Sequence, residues 1–380
     1  MIINETDFEL APEYEFDYTK AKPNRFANSA DGLEEKFDWL KTLPDRLVQY
    51  HTPGCSIAAI DNCEIEWARG FGVCEAGTTR EVTPNTLFQA ASISKPIFAL
   101  AVMRLVQAGN LSLDQDVNTY LTSWQIPSTD GQQPCITLRH LLSHTAGLTV
   151  HGFEGYSSTA DLPTTIQILN GEPPANNDRV ERDLLPASNY RYSGGGTMVA
   201  QQVLVDLLGK SFPEIMRELV LEPIGMHDST YQQPISVDLL VNTATAHLEG
   251  GIPLVGKHHI YPEMAAAGLW TTATDLAKIG VELLQILRGK SSEIWSQETI
   301  VAMFHPQAIS QTQASTTGVF GLGWMVSGDG EGFQFFHSGW NEGFVATMRV
   351  SARGKGIVVM LNSNEGYPLL EEIGRSISIQ

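Results

Sequence analysis

The sequence predicts an α+β protein, with an antiparallel sheet of five or more strands flanked by helices and a mostly helical lobe beside it. Three observations lead there. β-rich runs occur near both ends of the 380-residue chain, helical periodicity fills the middle, and the two kinds of segment are segregated rather than alternating. The simplest arrangement brings the terminal strands into one sheet. An α/β lobe would then comprise about 45–90 and 318–380, and a helical lobe about 91–317, with a cleft between them.

The elements follow in order. Residues 1–44 are charged and proline-containing, and read as an N-terminal extension, with a helix expected near 31–50. The run "CSIAAIDNCEIEWARGFGV" gives two strands around Asp61-Asn62, a hairpin signal. "KSFPEIMRELVLEPIGM" and "TATDLAKIGVELLQILRG" carry apolar residues at a spacing near 3.6, which predicts helices. Stretches rich in Pro, Gly, Asn and Asp at 125–136, 150–190 and 231–264 read as loops. "GLGWMVSG", "FQFFHSG", "FVATMRVSA" and "GIVVMLNSN" are short β-rich runs separated by glycine turns, "VSGDGEG" among them. A helix over roughly 367–378 closes the chain. There is no internal repeat.

Composition narrows the function. Hydrophobic residues make up 42% of the chain, enough for a sizeable core. The formal net charge of −19 opposes nucleic acid and anionic lipid as partners. No run of about 18 apolar residues predicts a membrane span. The acidic start "MIINETDFEL" lacks the basic and apolar regions of a signal peptide, which predicts a cytoplasmic protein, or a periplasmic one whose leader was removed. Cys55, Cys63, Cys74 and Cys135 show no C-x-x-C spacing and read as buried thiols, with one disulfide among the first three left open. Oligomeric state has no signal here.

The stretch "ASISKPIFALAVMRLVQAGN" carries the chemistry. It is apolar nearly all round, which predicts a buried helix, and Gly109-Asn110 stops it. Proline is tolerated only in a first turn, so Pro96 places the helix start close to Ser92. Ser92 and Lys95 are then i and i+3 on one face, at the positive end of the helix dipole. A serine hydroxyl needs a nearby base to act as a nucleophile, and a lysine whose pKa is lowered by burial can serve. Ser94 is the competing candidate, with Lys95 then simply solvated.

Further stretches occur in a telling order: "TLFQAASISKP", "RLVQAGNLSLDQDVNTYL", "ITLRHLLSHTAGL", "YRYSGGG", "LVLEPIGMHDSTY", "AAAGLWTTATDLAKI" and "FFHSGWNEGF". Together, over about residues 45–365, they resemble the serine β-lactamase-related hydrolases: class C β-lactamases, D-alanyl-D-alanine carboxypeptidases, D-aminopeptidases and their esterase relatives. The resemblance implies that Ser92 is the acylated nucleophile and Lys95 its partner. It places Tyr192 as general base, its phenol pKa lowered by Lys95. It makes the N–H groups of Ser92 and Trp340 the oxyanion hole, with the Trp340 side chain left to shape the pocket. His337, Ser338, Gly339 and Gly194 fall at substrate-binding positions. Two departures stand out. Gly194 replaces the asparagine of the family's Tyr-x-Asn motif. His337, which would be partly charged near neutral pH, replaces the lysine of its Lys-Thr-Gly motif. Loss of a fixed cation disfavours substrates with a terminal carboxylate.

Other motifs carry less. His144 falls at a structural position of that family. His258 and His259 are adjacent and there is no H-E-x-x-H, so neither zinc nor any cofactor is expected. No G-x-S-x-G occurs, and "YSGGGT" lacks the lysine of a P-loop. The sequence thus points to a metal-free serine hydrolase that cleaves an ester or amide bond of a small-molecule or peptide substrate, with β-lactams and D-amino-acid peptides among the options. The alternatives are a carboxylesterase without β-lactam or peptide activity, and a non-catalytic binding or assembly protein on the same fold.

Overall fold

The structure, a computed structural model, describes residues 37–128, 131, 133, 135–307 and 318–376. Most of the N-terminal extension and residues 377–378 of the closing helix lie outside them. The expected N-terminal helix begins at Trp39, and its proposed residues 31–36 also lie outside.

Seven strands form one antiparallel sheet: β1 Gly54–Asp61, β2 Glu64–Gly72, β5 Val319–Phe320, β6 Met325–Ser327, β7 Gln334–Asn341, β8 Phe344–Ser351 and β9 Lys355–Leu361. Their order is β2-β1-β9-β8-β7-β6-β5, so the two ends of the chain meet where β1 pairs with β9. A second sheet joins β3 Phe88–Gln89 to β4 Trp270–Thr271. The β1–β2 turn is Asn62-Cys63, one residue later than the sequence suggested. Both residues have positive φ, as a two-residue hairpin turn requires.

β1 is buried along nearly its whole length because both faces are covered. Cys55, Ile57 and Ala59 pack on Leu40, Leu43 and Leu47 of α1 (Trp39–Gln49) and Leu369, Leu370 and Ile373 of α6 (Tyr367–Ser376). Ala58 and Ile60, on the alternate face, join the larger core with α5 (Ala273–Leu287). The sequence grouped α5 with the central helices, but it lies on the sheet. Gly280 allows this approach, since a Cβ there would stand 2.9 Å from Ile60 Cδ1 and 3.0 Å from Val350 Cγ2.

The helix carrying the Ser-x-x-Lys motif, α2 (Ser94–Gln107), is the buried axis of the larger core. Pro96 sits in its first turn, and Gly109 follows its end with φ 75°. Each of Ile97, Phe98, Leu100 and Val102 is fully buried, worth about 1.5–3 kcal/mol apiece. The short α4 (Met264–Ala267) packs beside it, and α3 (Gly194–Leu208) packs on α4. Cys55, Cys63 and Cys74 are buried free thiols, whereas Cys135 is exposed, contrary to expectation. None of the helices among the described residues is long and apolar enough to cross a membrane.

Candidate active site

Ser92 lies ahead of α2 proper, in a single 3₁₀ turn, Ala91–Ile93. Ala91 holds φ at 50°, an uncommon backbone for a residue with a side chain, and this bends the chain sharply at the serine. Ser94 stabilises the bend from inside. It is fully buried, donates from Oγ to Ala91 O at 2.6 Å and accepts from Leu269 N–H at 3.0 Å. Ser94 is thereby a structural residue, and Ser92 is the serine that meets Lys95.

Lys95 is 4% exposed. Its Nζ stands 3.1 Å from Ser92 Oγ and 2.8 Å from the carbonyl of Ala266 in α4. It also lies 4.9 Å from the centre of the Tyr192 ring. No acidic group forms an ion pair with it among the described residues. Burial therefore acts unopposed and pulls the amine down to about 7. An amine so placed has a simple hydrogen-bonding solution. It donates to Ala266 O and to Ser92 Oγ, and once it has lost a proton its lone pair can turn to the Ser92 hydroxyl.

The Tyr192 phenol lies near enough to the Ser92 hydroxyl to be influenced by it, although no hydrogen bond of ordinary geometry joins the two. The expectation of a lowered phenol pKa is overturned. Burial drives it well above its ordinary value, and the nearby Ser92 hydroxyl offsets this only in part. Lys95 adds nothing to that offset. His144 holds the tyrosine in place. Its Nδ1 accepts the Ser193 N–H at 3.2 Å, its carbonyl accepts the Arg191 N–H at 2.8 Å, and its ring lies 4.3 Å from that of Tyr192. Burial keeps this histidine neutral and an acceptor. Ser193 caps α3, its Oγ accepting from Gly196 N–H at 2.9 Å.

β7 supplies the opposite wall. Among the described residues no strand pairs with its outer edge beyond Phe336, because β6 pairs only with residues 334–336. The two-residue turn Glu342-Gly343 makes Asn341 and Phe344 the closing pair of the ladder with β8. Alternation then turns the N–H of Trp340 away from β8, toward that outer edge. Gly339 permits close approach to the serine turn, since a Cβ there would sit 2.3 Å from Ala90 O and 2.9 Å from Ser92 N. The indole of Trp340 is 53% exposed and leaves the strand on the face opposite Gly339. Ser338 shares that outer face and bonds Thr347 Oγ1 at 3.1 Å.

His337 departs from expectation in charge. It is buried, and desolvation, then the neighbouring Lys95, push it down to about 3, so it is neutral near pH 7. Its Nδ1 donates to Ser338 O at 2.7 Å, and its Nε2 is buried with no hydrogen-bond partner among the described residues. Gly194 offers the site no side chain. Its N–H is taken by His151 O at 3.0 Å, and a Cβ would lie 2.9 Å from Phe153 Cε2, so an aromatic edge occupies the ground where an amide would stand.

Sequence reasoning missed the aromatic lining. Tyr190 stacks on Phe320 at 5.2 Å, and His151 and Phe320 lie 5.1 and 6.1 Å from the Tyr192 ring. The i,i+2 pair in "YRY" hinted at Tyr190, but nothing local marked Phe320, His151 or Phe153. Beside them, residues 149–154, 176–179 and 181 line a cavity of about 640 Å³. No group of three or more metal-ligating side chains occurs among the described residues.

Comparison with known proteins agrees with this architecture. The family model described as Beta-lactamase matches residues 31–378. The Unguisins hydrolase ungD' of Aspergillus campestris is 28% identical over 73% of this chain and 53% of its own length. Esterase EstB of Burkholderia gladioli is 30% identical over 54% of this chain and 53% of its own. The chain thus spans about half the length of these curated relatives. Among solved structures, the D-alanine carboxypeptidase AmpC of Burkholderia cenocepacia superposes with a TM-score of 0.71 at 18% identity, covering 92% of this chain and 99% of that one. The octameric penicillin-binding protein homologue of Pyrococcus abyssi gives 0.71 at 21%, covering 89% and 77%. These structures share the α+β fold, and the model match across nearly the whole chain makes this protein a member of the Beta-lactamase family.

Proposed function

We propose that the protein is a serine hydrolase that cleaves an ester or amide through an acyl-enzyme on Ser92. One observation carries the reading: a buried amine near neutrality, 3.1 Å from the Ser92 hydroxyl. Lys95 takes the Ser92 proton as Oγ bonds to the substrate carbonyl carbon. The oxyanion is held by the N–H groups of Ser92 and Trp340. When the tetrahedral adduct collapses, the carbon–leaving-group bond breaks. The leaving group takes a proton from the Tyr192 phenol, which Lys95 then restores. Water repeats the sequence, the acid departs, and Ser92 regains its proton. In this scheme Tyr192 is a protonated donor, and Lys95 is the base.

The substrate class follows from charge. His337 is neutral, Gly194 brings no amide, and the surrounding surface is aromatic. Such a site suits an ester or amide without a carboxylate beside the scissile bond. A fluorophosphonate probe should label the native protein at Ser92, and Ser92→Ala should abolish the label. Undiminished labelling of that variant would refute the assignment. In a turnover screen, a p-nitrophenyl ester should be consumed faster than a D-amino acid p-nitroanilide or a chromogenic cephalosporin. Preference for the cephalosporin would refute the charge argument.

A further inference from the structure

One buried amide beside the site takes no part in the chemistry just described. Asn341 ends β7 and is 1% exposed. Its Nδ2 donates to Gln89 Oε1 at 2.8 Å and to Ala267 O at 3.1 Å. Gln89, equally buried, ends β3 three residues before Ser92, and its Nε2 donates to His259 O at 2.7 Å. Ala267 follows Ala266, whose carbonyl holds Lys95. Trp340 immediately precedes Asn341. Three segments far apart in sequence therefore converge on one side chain.

We propose that Asn341 is a positioning residue whose planar amide clasps the serine turn, the Lys95 anchor and the Trp340 backbone into one geometry. The inference rests on Ser92 being the nucleophile. The need for a clasp is mechanical. Among the described residues no strand pairs with the outer edge of β7 beyond Phe336, and the serine turn packs there without a ladder, so a directional polar tie is what fixes this end to the helical side. Two N–H donors on one rigid group, aimed at acceptors on two other segments, supply that tie. Gln201 braces α4 in the same way from α3, its Oε1 accepting the Ala265 N–H at 2.8 Å.

The test uses the intact protein and acylation by p-nitrophenyl acetate. Asn341→Leu removes both donors at similar volume. Its acylation rate constant should fall about 10- to 100-fold, the cost of misaligned reacting groups, while KM stays within about twofold. Gln89→Leu should show the same split, and the double variant should lose no more than the worse single one, as expected for one coupled unit. If Asn341→Leu does not fold, Asn341→Ser, which leaves a shortened donor, should give an intermediate loss. The proposal is overturned if a folded Asn341 variant acylates at the native rate, or if the losses at 89 and 341 simply multiply. A native protein left unlabelled at Ser92 would instead remove the nucleophile assignment itself.

Discussion

Burial pulls the Lys95 amine down to about 7, and no carboxylate among the described residues pulls it back, so its neutral form is accessible near pH 7. Only the neutral form accepts the Ser92 proton. The acylation rate should therefore climb as pH rises through about 7 and level off above, which stopped-flow measurement of the p-nitrophenol burst will follow. Lys95→Met should lose that limb and about 10²–10⁴-fold in rate. If the limb persists in the variant, another base is at work. This pair was legible in the sequence because a serine and a lysine three apart at a helix start fall on one face. Tyr192 was reachable only through family resemblance, since its nearness depends on how α3 and α2 are brought together across α4. The direction of its pKa was misjudged, because a sequence reveals a neighbouring lysine but not the burial that neutralises it.

Strands and turns decide how near those groups come. β7 runs so close to the serine turn that position 339 tolerates no side chain: the added Cβ would meet Ala90 O at 2.3 Å. Gly339→Ala should displace the Trp340 N–H from the carbonyl it would serve and lower kcat about 100-fold. An unchanged burst amplitude and rate would show that the strand yields at no cost. The long strands could be read from alternating and β-branched runs, and the buried helix from its all-round apolarity. The placement of α5 could not, because a helix with an apolar stripe fits a sheet as well as another helix, and only Gly280 decides. Asn341 was invisible for a similar reason. A polar residue at a strand end reads as a turn signal until its partners are known.

For the molecule as a whole, stability should carry the mark of Glu263, a fully buried carboxyl at the N-terminal end of α4. It lies near the Tyr156 phenol, yet neither oxygen makes a hydrogen bond of ordinary geometry among the described residues. Desolvation raises it from 4.5 to about 8. The folded state thus keeps a proton that the unfolded chain releases above 4.5, so stability is full at lower pH and declines until about pH 8. Glu263→Gln should be free of that decline. Chemical unfolding should find its advantage over the native protein growing by a few kcal/mol from pH 5 to pH 9, at about 1.4 kcal/mol per pKa unit. A constant difference would mean the carboxyl is not protonated in the fold. A different consequence attaches to the pairing of β1 with β9, Cys55 opposite Leu361. During synthesis the first hairpin emerges long before its neighbour exists, and an apolar strand waits with one edge bare. Until translation reaches that late partner, the nascent chain depends on chaperones or on speed to stay out of aggregates.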